Sequence, residues 1–300
     1  MNKITKFITD KKFRFNILAA KGFYNRVADD VFLKNKFKIS FGYDLDLDNP
    51  KTFNEKLQWL KLYDRKPEYT RMVDKYEAKG YVAERIGEEY IIPTLGVWDR
   101  FDDIDFESLP NQFVLKCTHD SGGLVICKDK SKLDIKSAKR KINKCLKCNY
   151  YWQGREWQYK DVNPRIIAEK FMTDGDKECL TDYKFFCFGG EPKFMYRSMD
   201  KAQDPRTDFF DMDYNRLNMR MRDPNSDIIP QKPECFEEMK RLAKILSAGI
   251  PHLRVDFYEI EGKIYFRELT FYHCGGFSKI YPEKWMDTLG EWIDLKKENI

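Results

Sequence analysis

The chain is poor in several residues and patterns that would settle its chemistry at a glance. It has three histidines in 300 residues, His119, His252 and His273, and none stands in a local pattern that supports a Ser-His-Asp nucleophile. His119 and His273 each adjoin a glycine turn and are read as hydrogen-bonding side chains. Eight cysteines are too sparse for a disulfide scaffold. Cys117, Cys127 and Cys187 sit in strand-like runs and read as reduced, buried thiols. Cys145 and Cys148 form a lone CxxC with no second pair at zinc spacing, which argues against metal or redox use. No run approaches the roughly 18–20 apolar residues needed to cross a bilayer. The opening MNKITKFITDKKFRFNILAAKGF is basic but only brokenly apolar, which argues against a secretory leader and makes the cytoplasm the expected compartment. There is no GxxxxGK[ST] loop, no GxGxxG, no low-complexity run and no internal repeat.

What is present suffices for a full core. With 42% hydrophobic and 15% aromatic residues, the chain forms one large or two smaller domains. Net charge is +5 but unevenly spread: residues 1–40 hold ten Lys/Arg against three Asp. That segment reads either as a solvated basic helix or as a peripheral contact with a membrane or an acidic polymer. The body lacks the basic-aromatic interleaving of a nucleic-acid binder, so no nucleic-acid partner is expected.

Asp44-Leu45-Asp46-Leu47-Asp48 reads as a loop after the basic segment. Residues 53–64 and 68–87 follow as helices, the second ending at Gly87. A strand at 91–98, an acidic loop to Pro110, a lysine-rich helix over 134–149 and a strand over 165–171 come next. After the loop at 173–180, strands 183–188 and 192–197 join through Gly189-Gly190-Glu191, a hairpin signal. A proline-bearing polar section leads to an amphipathic helix at 234–248. A last hairpin at 253–270, a glycine turn (YHCGGF) and a helix with Trp285, Leu289 and Trp292 inward complete the chain. The order predicts mixed α+β with antiparallel hairpins, without the strict alternation of a Rossmann sheet.

Two hairpins carry the candidate chemistry. In FVLKCTHDSGGLVICKDK (113–130), Lys116 meets a turn containing Ser121-Gly122-Gly123. Exposed amides backed by a lysine form a site for anionic oxygens, phosphate above all; a plain hairpin with a glycine bulge accounts for the same residues. In the last hairpin the register decides the meaning. A three-residue loop at Glu261-Gly262-Lys263 opposes Asp256 to Glu268, two carboxylates that repel unless a cation such as Mg²⁺ or Mn²⁺ lies between them. A two-residue loop opposes Asp256 to Arg267 and gives a salt bridge.

Taken together, the stretches KTFNEKLQWLKLYDR, DKYEAKGYVAERIGEEYIIPTLGVW, FVLKCTHDSGG, IIAEKFM, DYKFFCFGGEPKFMY and LRVDFYEIEGKIYFRELTFYHCGGF resemble, in order, the TupA-like ATP-grasp family, from about Lys51 to Leu295. The resemblance implies two α+β subdomains gripping ATP between antiparallel hairpins, with an N-terminal helical extension. It divides the chain into a basic extension (1–50), a helical pre-grasp region (51–110), a small subdomain (111–171) with phosphate loop and hinge, and a large subdomain (172–300) with metal and acceptor sites. Lys75 and Lys116 are thereby implied as phosphate lysines, with Ser121, Gly122 and Gly123 in the phosphate loop. Glu169, Lys170 and Phe171 match the hinge against adenine, and Asp182 the ribose acid. Asp256 and Glu268 match the Mg²⁺ ligands, Mn²⁺ being the alternative ion. Arg254 and Lys184 are implied at the transferred phosphate. One departure stands out: the usual third ligand is an Asn, and this chain has Thr270, a weaker partner.

The activity implied is an ATP-dependent carboxylate–amine ligase working through an acyl phosphate. Its substrates would be an amine or amino acid and a uronic acid or similar group of a bacterial surface polysaccharide. Two alternatives are carried: a glycosyltransferase of the same pathway, on the DxD-like run at Asp44–Asp48, and a nucleotide-binding scaffold without catalysis, on Thr270. The acceptor pocket is expected in the long loops of 198–233.

Overall fold

The computed structural model describes residues 2–175, 180–199 and 205–295. The expected loop at 173–180 and the acceptor loops at 198–233 therefore lie partly outside the described residues.

The basic N-terminal segment forms three helices, α1 (Lys3–Thr9), α2 (Lys11–Ala20) and α3 (Asp29–Phe41). Asp10 starts α2 by accepting from the Phe13 amide, and Gly42, at φ +90°, ends α3. Helix α4 (Phe53–Tyr63) begins with a capping box in which Thr52 and Glu55 satisfy one another's backbone amides.

The helix expected over 68–87 is two helices, α5 (Glu68–Val73) and α6 (Glu77–Ile86). The break has a local cause. Asp74 turns extended, and its carboxylate accepts from the amides of Tyr76 and Glu77, capping the second helix. This places Lys75 at the corner, where its amide donates to the Thr118 carbonyl.

The first sheet contains β1 (Thr94–Trp98), β2 (Phe113–Cys117), β3 (Leu124–Cys127) and β4 (Ile166–Lys170), in the order β1-β4-β2-β3, every pair antiparallel. Strand β1 starts at Thr94, later than the sequence suggests, and it comes from the segment read as the helical pre-grasp region. Helix α7 (Ile135–Leu146) covers β2 and β3, with Ala138 and Ile142 buried against Phe113, Leu115 and Cys117. A short helix α8 (Tyr151–Gly154) leads back toward β4.

The second sheet contains β5 (Thr181–Phe188), β6 (Glu191–Met199), β7 (Arg206–Asp211), β8 (His252–Ile260) and β9 (Lys263–Thr270), in the order β7-β6-β5-β8-β9. Helix α9 (Phe236–Ser247) packs on it through Phe236, Met239, Leu242, Ala243 and Leu246, the face expected from the 3.6-residue period. Strand β7 lies in the section read as polar loop. Its six residues carry Thr207, Phe209 and Phe210 inward, and pairing with β6 completes it. Helix α10 (Lys284–Glu291) buries Leu289 and packs on α4, with Trp285 and Trp292 half-buried against the same core.

The register of the last hairpin combines both alternatives. The turn is the two-residue one, Glu261-Gly262, both at positive φ (51° and 72°), so that Ile260 pairs with Lys263 and Tyr258 with Tyr265. Beyond Phe257–Phe266 a bulge takes up Arg267, and Asp256 then stands opposite Glu268.

Candidate functional site

A cleft of about 910 Å³ opens between the two sheets. One wall is the β2–β3 hairpin with α6 and β4; the other is β8–β9 with the glycine turn after β9. Of the residues singled out from sequence, Lys75, Lys116, Ser121, Gly122 and Gly123 line the first wall. Glu169, Lys170 and Phe171 line its back, and Asp182, Arg254, Glu268 and Thr270 line the second. Lys184 and Asp256 lie beneath that second wall, joined to it by ion pairs. All the candidates are thus brought together from six separate stretches of chain.

On the first wall, Glu169 is buried between Lys79 and Lys116, 2.5 Å from each. Burial works against its ionisation, but Lys116 and Lys79 prevail and hold its pKa below the usual carboxylate value. Lys75 donates to the Asp120 carbonyl, and burial pushes its pKa down against the pull of Glu268 and Asp120. The Asp120 carboxylate accepts from the Gly123 amide at 3.0 Å. Among the described residues the amides of Ser121 and Gly122 find no protein acceptor. The glycines serve packing rather than unusual angles. A Cβ on Gly123 would sit 2.5 Å from Cys117 Sγ, whereas Gly122 meets no atom nearer than 3.9 Å, and neither takes a left-handed φ.

The second wall is an ion lattice of Asp182, Asp256 and Glu268 with Lys184, Arg254 and Arg267. Arg254 forks onto both oxygens of Asp256 at 2.7 and 2.6 Å and reaches Glu268 at 2.9 Å. Arg267 bridges Asp182 at 3.0 Å and Asp256 at 3.3 Å, and Lys184 pairs with Asp182 at 2.7 Å. Burial raises the pKa of Asp256 against its cationic neighbours. Glu268 goes the other way: despite burial, Arg267, Arg254, Lys75 and Lys184 bring it down to about 2. Arg254 also donates to His273 Nδ1 at 2.7 Å. An arginine can only donate, so His273 accepts there as the neutral ring, consistent with burial and Arg254 holding its pKa far below the usual value.

Hard oxygen donors for a divalent cation are present but unequal. Glu268 faces the cleft, its Oε2 has no hydrogen-bond partner among the described residues, and Thr270 Oγ1 lies 3.4 Å from its Oε1. Both Asp256 oxygens are taken by Arg254. No group of three or more His, Cys, Asp or Glu able to hold a metal occurs among the described residues. The set fits a Mg²⁺ bound by one or two carboxylates and otherwise by water and phosphate oxygens, not a closed protein cage.

Sequence reasoning raised the Arg267–Asp256 pair but missed Lys79, Arg267 as a partner of Asp182, and Glu156 with Tyr150 and Tyr159, all of which line the cleft. Lys79 carried a signal, one helical turn beyond Lys75; the others depend on long-range folding. The Asp44–Asp48 run lies away from the cleft. Asp44 pairs with Lys38 at 2.8 Å, and Asp46 accepts the amides of Asp48 and Asn49.

The family model described as TupA-like ATPgrasp matches residues 55–294. Among solved structures, a D-alanine–D-alanine ligase from Bacillus anthracis is 14% identical, with 81% of this chain and 69% of that chain covered and a TM-score of 0.41. The corresponding enzyme from Helicobacter pylori is 14% identical over 80% of this chain and 69% of that one, TM-score 0.41. An ADP complex of N5-carboxyaminoimidazole ribonucleotide synthetase is 12% identical over 73% of this chain, spans 51% of its own length, and has a TM-score of 0.45. No curated protein matches.

Proposed function

Because the chain belongs to the TupA-like ATP-grasp family, we propose that it is an ATP-dependent ligase that joins a carboxylate to an amine through an acyl phosphate. The observation that carries this reading is the two-walled cleft, with lysines and unpaired loop amides on one side and the arginine–carboxylate lattice on the other.

A carboxylate resists a nucleophile because of its charge. Moving the γ-phosphoryl group onto it makes an acyl phosphate, whose carbonyl carbon an amine attacks with loss of phosphate. Lys75, Lys116 and the amides of Ser121 and Gly122 hold phosphate oxygens. The backbone of Glu169–Phe171 reads the adenine edge, and Asp182 takes the ribose. Arg254 faces the transferred group and, with Lys184 beneath it, offsets its charge, a task that fixed cations perform best where water is excluded. A Mg²⁺ held by Glu268 and Thr270, and by Asp256 once the Arg254 fork opens, would screen the phosphate charge; Mn²⁺ is the alternative ion.

Assignment of the carboxylate to a uronic acid or similar group of a bacterial surface polysaccharide rests on family resemblance. A cytoplasmic site of action belongs to the same proposal; among the described residues no helix is long and apolar enough to cross a membrane. A contact of the basic helices with a membrane or an acidic polymer is likewise proposed on charge alone.

A second reading, a nucleotide-binding scaffold without turnover, draws on Thr270 and on the occupied oxygens of Asp256. Both readings expect millimolar MgATP to raise the melting temperature, since a ligand of the folded state alone stabilises it by mass action. Absence of that shift defeats both. ADP release in the presence of uronic acids and amino acids, with hydroxylamine trapping the acyl phosphate as a hydroxamate, supports the ligase; binding without either product leaves the scaffold.

A further inference from the structure

The cleft has lining residues to which the nucleotide reading gives no role. Glu156 lines it, 6% exposed, and among the described residues its carboxylate accepts no hydrogen bond and makes no ion pair. Burying an unpaired carboxylate is costly, and folded proteins rarely retain one without use. The nearby ammonium groups of Lys61 and Lys36 act on Glu156 only beyond ion-pair distance, and their hydrogen bonds go to other groups. Lys61 donates to Gln58 Oε1 and to the carbonyls of Gly154 and Gly275 at 2.9, 2.9 and 2.7 Å, and Lys36 donates to the Gln153 carbonyl.

The backbone is bent to produce this arrangement. Arg155 takes φ +54°, a left-handed conformation unfavourable for a residue with a side chain. It thereby sends its guanidinium outward to the carbonyls of Tyr24 and Val27 and to Asp29, and leaves Glu156 in the cleft. Two glycines adjoin the carboxylate. A Cβ on Gly275 would come within 3.5 Å of Glu156 Oε1, and one on Gly154 within 3.3 Å. Tyr150 and Tyr159 stand beside it, rings edge to face at 5.0 Å.

A carboxylate without a direct partner in a cleft that two tyrosine rings also line suits a cation: the acid supplies charge and an aromatic lining adds to it. We infer that Glu156, with Tyr150 and Tyr159, holds the ammonium group of the acceptor, so that the acceptor is a primary amine rather than an alcohol. The role of this amine as acceptor rests on the ligase reading; the cation site does not. Burial raises the Glu156 pKa, opposed by Lys61, Lys36 and Arg254, and a bound ammonium acts in the same direction as those cations.

The test uses the full chain and ethylammonium as probe, with ethanol as its neutral counterpart, read by saturation-transfer NMR. Wild type is expected to bind ethylammonium and not ethanol, Glu156→Gln to weaken that binding by about tenfold or more, and Glu156→Asp to retain part of it. Glu156→Gln should melt no lower than wild type, because it removes an unpaired buried charge. Equal binding by Glu156→Gln, no preference for ethylammonium over ethanol, or a clear fall in melting temperature would overturn the inference, the last by making Glu156 a structural counter-ion of Lys61 and Lys36. The MgATP-induced shift is measured alongside; its absence from wild type defeats the ligase reading and leaves the ammonium result to be read alone.

Discussion

The two walls of the cleft treat charge in opposite ways. On the β2–β3 side Lys116 has one acidic partner, Glu169, which keeps Lys79 if Lys116 is drawn away, and the loop amides of Ser121 and Gly122 are free to meet an anion. On the β8–β9 side three acids and three cations interlock, and Asp256 is completely buried with both oxygens held by one guanidinium. The first wall can release its charge to a ligand with little loss. The second is a shared network in which Arg254 matters most, because its loss strips the fully buried Asp256 of its two-oxygen fork. Loosely held charge and interlocked charge therefore occupy different hairpins.

Arg254→Met puts this contrast under the greatest strain. It leaves Asp256 buried without its fork, and a loss of about 3–5 kcal/mol of stability is expected, read as a lower denaturation midpoint together with loss of ADP release. A variant of unchanged stability would show the lattice to be dispensable. Lys116→Ala should do the reverse. Transition-state stabilisation falls by ~2–4 kcal/mol, measured as kcat/KM for ADP release, while the apo melting curve barely moves because Lys79 still pairs with Glu169. An active Lys116→Ala enzyme would remove this lysine from the phosphate site.

A smaller effect separates the two glycines of the first wall. Gly123→Ala brings a methyl against Cys117 and should destabilise by roughly 1–3 kcal/mol, whereas Gly122→Ala should stay within about 0.5 kcal/mol. Equal melting temperatures would show that the turn relaxes freely. The smallest effect is in acid. The folded-state pKa of Glu268 lies below its unfolded value, at about 2. Its ionisation therefore contributes stability above the ordinary carboxylate range near 4.3, lost as pH falls toward 2. The melting-temperature gap between wild type and Glu268→Gln should narrow over that window, and a gap independent of pH would contradict the assignment.

Much of the fold was legible because local chemistry and burial agree: the capping box before α4, the apolar stripe of α9 and the glycine turns of the hairpins each mark their elements. Strand β7 escaped because it is short, follows Pro205 and contains Asp208, whose partner Arg216 lies beyond the strand at 2.6 Å. The break at Asp74 escaped because a side chain capping a helix from inside an apparently continuous helical pattern looks like any surface acid. The family motifs brought the candidate residues that the fold gathers around one cleft within reach of sequence reading. Glu156 had no such signal: its isolation depends on what Lys61 and Lys36 bind, and those partners come from far along the chain.

The bulge at Arg267 exchanges odd for even along β9. Along a strand every second side chain looks the same way, so a tight two-residue turn fixes which members of β9 share a side with Asp256. Counted from Glu261-Gly262 alone, Glu268 would stand opposite Val255 and be turned toward the apolar interior. One surplus residue changes the count by one and exchanges the sides for everything beyond it. The hairpin thus has a tight turn at one end and a facing pair of acids at the other, two requirements that an unbulged ladder of this sequence could not meet together.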